Sequence, residues 1–253
     1  MGPEPTDSWG DAGLLSAEQE RGGRLRPESW RPDPSPLVVA AAFVAFAPGE
    51  AGPGHAGDRA WVGAVAVREG MVTGSRTAPP VPGVVVRGHA GGRYVPGLLA
   101  VREGAMTVKA LAALEARVGR PDVVMLDATG RDHPRRCGLA VHVGWVLDVP
   151  TIGVTHRLLT DRDRPVPALD RRGQAEPINI DGEAVAAWVC TADGARPVVV
   201  HAGWRTDVGV AVEVALRTSD VVRTPEPLRE ARRLAREARS MAGGGWDGYG
   251  PAL

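Results

Sequence analysis

A group of polar side chains follows one short apolar stretch and has the chemistry to bind metal ions and phosphates. Asp127 ends the stretch DVVMLD, which reads as a buried strand, and a glycine-containing loop comes directly after it. A carboxylate in that position projects into the cleft beside a sheet and is a candidate ligand for a hard cation. The same loop carries His133, Arg135 and Arg136, and His142 lies a little further along the chain.

The arginines of this loop indicate the kind of ligand. Arginine binds phosphate oxygens through two parallel N–H donors, so the grouping predicts an anionic, phosphate-bearing ligand. The alternative is a surface loop whose arginines pair with acids such as Asp132. Spacing alone leaves both interpretations open.

Regular apolar patterns on either side of this loop predict the elements that would position it. Continuous valine-rich runs predict buried strands, and apolar residues at three- and four-residue intervals predict helices. The predicted strands cover 37–47, 61–67, 69–77, 81–88, 122–127, 151–155, 184–191 and 197–203, and the predicted helices cover 95–117, 136–146, 208–216 and 225–240. Residues 160–182 are predicted to form an irregular surface segment. Together the predicted strands and helices indicate an α/β fold, a mixed sheet flanked by helices.

Both ends of the chain lack these patterns. Residues 1–35 mix Gly, Pro, Asp, Glu and Arg without periodicity, which predicts a disordered N-terminal tail. Residues 36–240 form the predicted folded domain, and 241–253 a flexible C-terminal tail. The 225–240 helix carries an arginine face that includes Arg232 and Arg236, but its glutamates favour a solvated surface over a phosphate contact.

Composition narrows the class of protein. The 253 residues carry 30 basic and 30 acidic side chains, and 43% of them are hydrophobic. No apolar run approaches the roughly 20 residues of a membrane span, and no signal peptide is visible, so we expect a cytoplasmic monomer that does not contact membranes. A nucleic-acid binder usually has a basic excess. A binding surface would therefore have to be a local patch.

The polar loop and two further blocks resemble the endonuclease V family. DATGRDHPRRCGLAVHVG, with VPTIGVT after it, resembles the family signature, in which an aspartate precedes His-Pro-Arg-Arg-x-Gly-x-Ala-x-His-x-Gly. RYVPGLLAVRE is similar to the family's Tyr-Ile-Pro-Gly wedge loop and the helix after it. VVVHAGWR and PEPLREA are similar to its C-terminal part. The resemblance covers roughly residues 36–240, in three blocks that keep the family's order.

The resemblance implies a ribonuclease H-like fold and a DNA-repair nuclease. Family members cleave DNA or RNA near deoxyinosine or inosine, using magnesium (manganese is the second candidate) held by carboxylates. It places Glu103 and Asp127 as metal ligands and His133 as a catalytic group. It also implies that residues of the wedge and of the signature loop bind substrate, namely Tyr94, Pro96, Gly97, Arg135, Arg136, Gly138 and His142.

Several positions depart from the family pattern. The first-strand aspartate, central to the metal site, aligns with Phe43 here, or with Ala42 or Val44 if the alignment shifts by one residue, and no carboxylate lies anywhere in 37–49. The family's lysine is replaced by His156, which is either a neutral base or soft ligand in a rebuilt site or an ordinary polar residue. Ala128-Thr129-Gly130 replaces Gly-His-Gly, and Ala202-Gly203-Trp204 replaces Pro-Gly-His.

Three functions remain open from the sequence. The first is weakened metal-dependent hydrolysis of DNA or RNA that carries a deaminated purine, with Asp127, Glu103, His133 and His156 as catalytic residues. The second is a catalytically inactive homologue that binds nucleic acid or nucleotides. The third is an enzyme that has been repurposed for a small molecule.

Overall fold

The computed structural model describes residues 7–47, 54–70, 81–161, 163–219 and 221–242. These residues form eight strands and five α-helices, preceded by a short 3₁₀ helix at Asp7–Gly10. In chain order they are α1 Ala12–Arg24, β1 Val38–Phe46, β2 Arg59–Arg68, β3 Gly83–His89, α2 Leu99–Val118, β4 Val123–Leu126, α3 Leu139–Leu147, β5 Thr151–Thr155, β6 Ala175–Ile180, β7 Glu183–Val189, β8 Val198–Ala202, α4 Val208–Arg217 and α5 Glu226–Met241.

One mixed sheet contains all eight strands, in the order β3-β2-β1-β4-β5-β8-β7-β6. The first three strands form an antiparallel meander, and β1, β4 and β5 run parallel at the centre. The carboxyl ends of parallel strands meet at one edge, which is where ligands bind in open α/β sheets. The topology confirms the α/β, ribonuclease H-like mixed sheet that the sequence predicts, and it puts Asp127 at this edge.

Helices cover both faces of the sheet. Alternate residues of β1 point to opposite faces, so Ala40 and Ala42 pack with α2 and α3, whereas Val39 and Ala41 pack with α4 and α5. Helix α5 lies very close to β2: a Cβ at Gly63 would stand 2.6 Å from the carbonyl oxygen of Ala231. This close approach brings the side chains of α5 directly over β1.

The N-terminal segment differs from the predicted tail. Helix α1 is capped by the Asp11 side chain. Its Leu15 is fully buried in the apolar core between the sheet and helices α2 and α3. Gly22 and Gly23 look like loop residues in the sequence, but a Cβ on Gly22 would press on Cys137 and Trp145. The absence of a side chain at Gly22 therefore allows α1 to pack closely against Cys137 and Trp145. Residues 1–6 lie outside the described part of the chain.

Smaller differences concern the edges. Residues 175–180, predicted as part of an irregular surface segment, form the edge strand β6. A proline is tolerated there because the outer side of an edge strand forms no hydrogen bonds to a neighbouring strand. The predicted strand over 69–77 and the predicted tail 241–253 fall almost wholly outside the described residues. Within the described chain, no helix is both long and apolar enough to cross a membrane.

Candidate functional site

A cavity of about 900 Å³ opens at the carboxyl ends of β4 and β5. Volumes of this size hold small molecules or single nucleotides. Its wall combines residues from the polar loop, the segment before α2 and the chain after β5. Its lining includes Gln19, Tyr94, Gly97, Asp127, His133, Thr155, His156, Arg157, Arg196 and Arg223.

The two predicted carboxylates come together beside this cavity. Glu103 on α2 and Asp127 after β4 line an adjoining pocket of about 280 Å³, together with Phe43. Burial, and then the negative charge of Asp127, raise the pKa of Glu103 to about 8, while Arg102 acts in the opposite direction. Glu103 is therefore largely protonated at neutral pH, which leaves Asp127 as the main negative charge of the pair.

An arginine from the facing helix holds Asp127. Arg232 on α5 donates an Nη2–H to Asp127 Oδ2 over 2.9 Å. Its guanidinium carbon lies 5.1 Å from the centre of the Phe43 ring, and that of Arg236 lies 5.8 Å from the same centre. Ala42 pairs with Leu126 across the parallel strands, so Phe43 stands next to Asp127 in the sheet. The two arginines thus lie over the ring at the place where the resemblance implies a metal ligand.

The residues present do not fit a resident divalent cation. Magnesium and manganese are held by several oxygen ligands, chiefly carboxylates. Phe43 supplies no oxygen, and Asp127 is already paired with a cationic side chain. Across the described ranges, no group of three or more His, Cys, Asp and Glu residues could hold a metal ion.

The predicted wedge loop is fixed in place beside the cavity. The carbonyl oxygen of Gly97 accepts hydrogen bonds from His133 Nε2 at 2.9 Å and from Gln19 Nε2 at 3.3 Å. Gly97 has a φ of +80°, which a residue with a side chain adopts only under strain. Tyr94 keeps 41% of its surface exposed at the cavity wall. The loop therefore presents an exposed aromatic ring from a fixed backbone.

His133 supports this loop through both of its ring nitrogens. Nε2 donates to Gly97, so Nδ1 is left as an acceptor, and the backbone N–H of Arg135 donates to it over 3.2 Å. Burial lowers the pKa of His133 to about 4, although the bond to Gly97 opposes the shift. The imidazole is neutral at physiological pH and both nitrogens are engaged. The geometry thus fits a positioning residue better than the catalytic role that the resemblance implies.

Four predicted substrate-binding residues do not line the cavity and contact other protein groups instead. Arg135 donates to Gln19 Oε1, and Arg136 forms a 2.6 Å ion pair with Asp181. Gly138 begins α3 at a point where a Cβ would clash with Thr129. His142 is buried on α3, stacked on Trp9 at 4.6 Å, and its Nε2 lies 3.4 Å from Glu18.

Burial dominates the titration of His142 as well. It lowers the pKa of that imidazole to about 4, against the raising effect of Glu18. Since the ring is neutral and packed against α1, its visible role is to attach the N-terminal helix to α3.

His156 stands at the cavity wall just after β5. Its side chain is exposed, and partial burial followed by the positive charge of Arg223 lowers its pKa. Asp127 acts in the opposite direction, so the two groups are within electrostatic reach of each other. The structure brings His156 and Asp127 into one site, as the resemblance implies for this position.

A buried network missed by sequence reasoning meets the same wall at Thr155. His201 Nδ1 lies 3.2 Å from Asp132 Oδ2, and both side chains are fully buried. His201 Nε2 lies 2.8 Å from the hydroxyl of Thr155, which lines the cavity. Asp132 therefore pairs with a histidine instead of the neighbouring arginines. Nothing in the spacing of these three residues signals that they meet.

The chain is similar in sequence to one family of known proteins. A family model described as Endonuclease V matches residues 62–233. Endonuclease V of Methanopyrus kandleri is 44% identical over 139 residues, which are 54% of this chain and 60% of the relative. Endonuclease V of Dictyoglomus thermophilum is 40% identical over 119 residues, which are 47% of this chain and 51% of the relative. The chain thus spans about half the length of the curated relatives it matches.

Solved structures extend the similarity to nearly the whole chain. Endonuclease V from Streptomyces avermitilis is 29% identical with a TM-score of 0.69, and the match covers 95% of both chains. The catalytic domain of human endonuclease V has a TM-score of 0.78 at 24% identity, covering 94% of this chain and 99% of that one. Endonuclease V from Ciona intestinalis was solved with a 24mer DNA containing an inosine followed by a ribo-adenosine. It has a TM-score of 0.72 at 21% identity, and the match covers 90% of this chain and 98% of that one. The last two show the shared fold.

Proposed function

Since this chain belongs to the endonuclease V family, we propose that it recognises nucleic acid carrying a deaminated purine and does not cleave the strand by the metal-dependent route. The family is one of metal-dependent nucleases, and a relative from Ciona intestinalis was solved with inosine-containing DNA. Recognition needs a place for a displaced base and a group that takes its place in the stack. Both needs have a counterpart in this chain.

One observation carries the proposal: the wedge loop is fixed beside a nucleotide-sized cavity. Gly97 is held by His133 and Gln19, and Tyr94 projects its exposed ring from this fixed backbone. Aromatic rings stack on bases of any sequence, at about 1–3 kcal/mol per base. Arg157, Arg196 and Arg223 in the cavity wall supply cations for the neighbouring phosphates.

The carboxylate pair supports the second half of the proposal. Asp127 is bound by Arg232, and Phe43 adds no oxygen ligand. These residues therefore offer no metal-dependent hydrolytic step. Metal-dependent cleavage, the first of the three hypotheses from the sequence, is the competing function that the experiment must exclude.

Binding is tested with fluorescently labelled oligonucleotides and the full chain. A strand with one inosine or deoxyinosine is compared with the same strand carrying adenine, in the presence of a chelator. We expect the inosine strand to bind more tightly, and Tyr94→Ala to lower its affinity about tenfold, because a base-stacking ring is lost. Val118→Ala removes another exposed apolar side chain, at the far end of α2, and should leave binding unchanged.

Cleavage is tested on the same strands with magnesium, with manganese and with a chelator. We expect intact strands in all three conditions. Equal affinity for inosine and adenine strands would overturn the recognition half of the proposal. Metal-dependent cleavage that disappears in Asp127→Ala would overturn the non-cleaving half.

A further inference from the structure

We infer that Arg232 and Arg236, stacked on Phe43, take the place of the divalent cation and form a metal-free phosphate-binding position beside Asp127. The inference goes beyond the proposed function, and it rests on that function only for the kind of strand that supplies the phosphate. Three observations carry it: the arrangement of charges, the role of the ring and the rigidity of the helix that holds the arginines.

The charges at this position are balanced without a metal ion. Asp127 and Glu103 contribute at most two negative charges, and the two guanidiniums contribute two positive ones. A pocket of bare carboxylates would repel a phosphate, whereas a metal ion would reverse the sign of the local field. The two guanidiniums offset the charge of the carboxylates, which removes this repulsion without a metal ion. Arginine remains charged at any physiological pH and matches the geometry of phosphate oxygens.

Phe43 explains why the cations are arginines placed at this point. The face of an aromatic ring attracts a cation within about 6 Å of its centre, and both guanidiniums lie within that limit, at 5.1 and 5.8 Å. An aspartate in the same position would pair with them directly and neutralise them. Phenylalanine holds the two cations without cancelling their charge, and Asp127 bonds only Arg232, through its Nη2.

The arginines are carried by a helix that cannot easily move away. Gly63 allows the backbone of α5 to approach β2 closely, and α5 buries Leu228, Ala231 and Ala235 against the sheet. Arg232 bonds Asp127 through Nη2, and its side chain keeps 23% of its surface exposed. The guanidinium therefore retains donor capacity that a ligand can reach. A phosphate oxygen is the ligand whose chemistry would fill it.

The first experiment uses metal alone and needs no nucleic acid. Titration of the protein with Mn²⁺ is followed by electron paramagnetic resonance. We expect no binding by the wild-type chain at millimolar Mn²⁺, and binding by the double variant Phe43→Asp, Arg232→Ala, which restores an oxygen ligand and removes the competing cation. Mn²⁺ binding by the wild type that disappears in Asp127→Ala would overturn the inference.

The second experiment measures phosphate binding with a chelator present, using inorganic pyrophosphate and an adenine-only oligonucleotide as probes. Arg232→Gln should weaken binding of both probes about tenfold, and Arg232→Lys should restore part of the loss. Arg229→Gln removes an arginine from the same helix that is paired with Glu226, and it should change nothing. Circular dichroism establishes that each variant folds.

The outcomes separate this inference from the proposed function. Loss of affinity for all phosphate probes in Arg232→Gln, with the preference for inosine kept, supports the phosphate position. Loss of the preference in Tyr94→Ala with pyrophosphate binding kept belongs to base recognition. Unchanged affinity of Arg232→Gln for both probes overturns the inference even where inosine is recognised.

Discussion

At the scale of single residues, His133 shows how burial decides what a side chain can do. Each ring nitrogen has a partner, Gly97 on one side and the backbone of Arg135 on the other. An imidazole that takes or gives a proton during a reaction must have one nitrogen available to the substrate. His133 instead joins the signature loop to the wedge loop. Its presence in the motif is explained by this contact between the two loops.

The lowered pKa of His133 predicts how stability depends on pH. The folded state takes up the proton only near pH 4, whereas the unfolded state takes it up near pH 6.5. The unfolded state therefore binds more protons between these values, so the contribution of His133 is fully present above pH 6.5 and is lost as the pH falls toward 4. The loss amounts to about 3 kcal/mol.

Urea denaturation from pH 4 to 8 measures this effect. In His133→Gln, whose amide can still donate to Gly97, the free energy of unfolding should fall less steeply below pH 6.5 than in the wild type. His142, whose pKa is lowered in the same direction, should keep part of the slope in the variant. Identical pH profiles for the two proteins would contradict the assignment of a buried neutral His133.

At the scale of secondary structure, helix α1 is the element that completes the wedge loop. Gln19 is almost fully buried, and it donates to Gly97 while it accepts from Arg135. Its amide thus bridges the two loops that His133 also joins. A segment with little sequence pattern carries a side chain that lines the cavity.

Gln19→Ala tests this bridge. The variant should lose about 1–3 kcal/mol of stability, because buried polar groups are left without their partner. It should also reduce the preference for inosine strands, since the wedge loop keeps only its bond to His133. Thermal denaturation and oligonucleotide binding measure the two effects. The adjacent exposed Glu20 gives a matched control, Glu20→Ala, and equal behaviour of the two variants would refute the role of Gln19.

Sequence patterns predicted those elements whose own residues carry the signal. Strand β5 falls at 151–155 as the apolar run predicts, and α4 forms despite its valines. Helix α1 escaped prediction because its packing depends on paired glycines, which usually mark loops. Motif matching found Asp127 and Glu103, but the pairing of Arg232 with Asp127 joins residues far apart in the chain. The sequence predicts the arginine face of α5, but only the fold shows that this face meets Phe43.

At the scale of the whole molecule, the zero net charge conceals a local concentration of cations. Acidic and basic side chains are equal in number, so long-range attraction to nucleic acid is weak. Arginines nevertheless collect around the cavity and on Phe43, where Arg157, Arg196, Arg223 and Arg236 face the proposed ligand. Affinity should therefore come from a few short-range phosphate contacts.

A salt titration tests this distribution of charge. Each phosphate contact with a single strand contributes about −0.7 to the slope of log K against log salt, so contacts from these arginines predict a slope of about −3. Arg196→Gln should make the slope about 0.7 less negative, whereas Arg229→Gln, an equal change in net charge away from the cavity, should not alter it. If both variants changed the slope equally, net charge would govern binding. A change confined to Arg196→Gln means that a neutral protein binds a polyanion through the cavity itself.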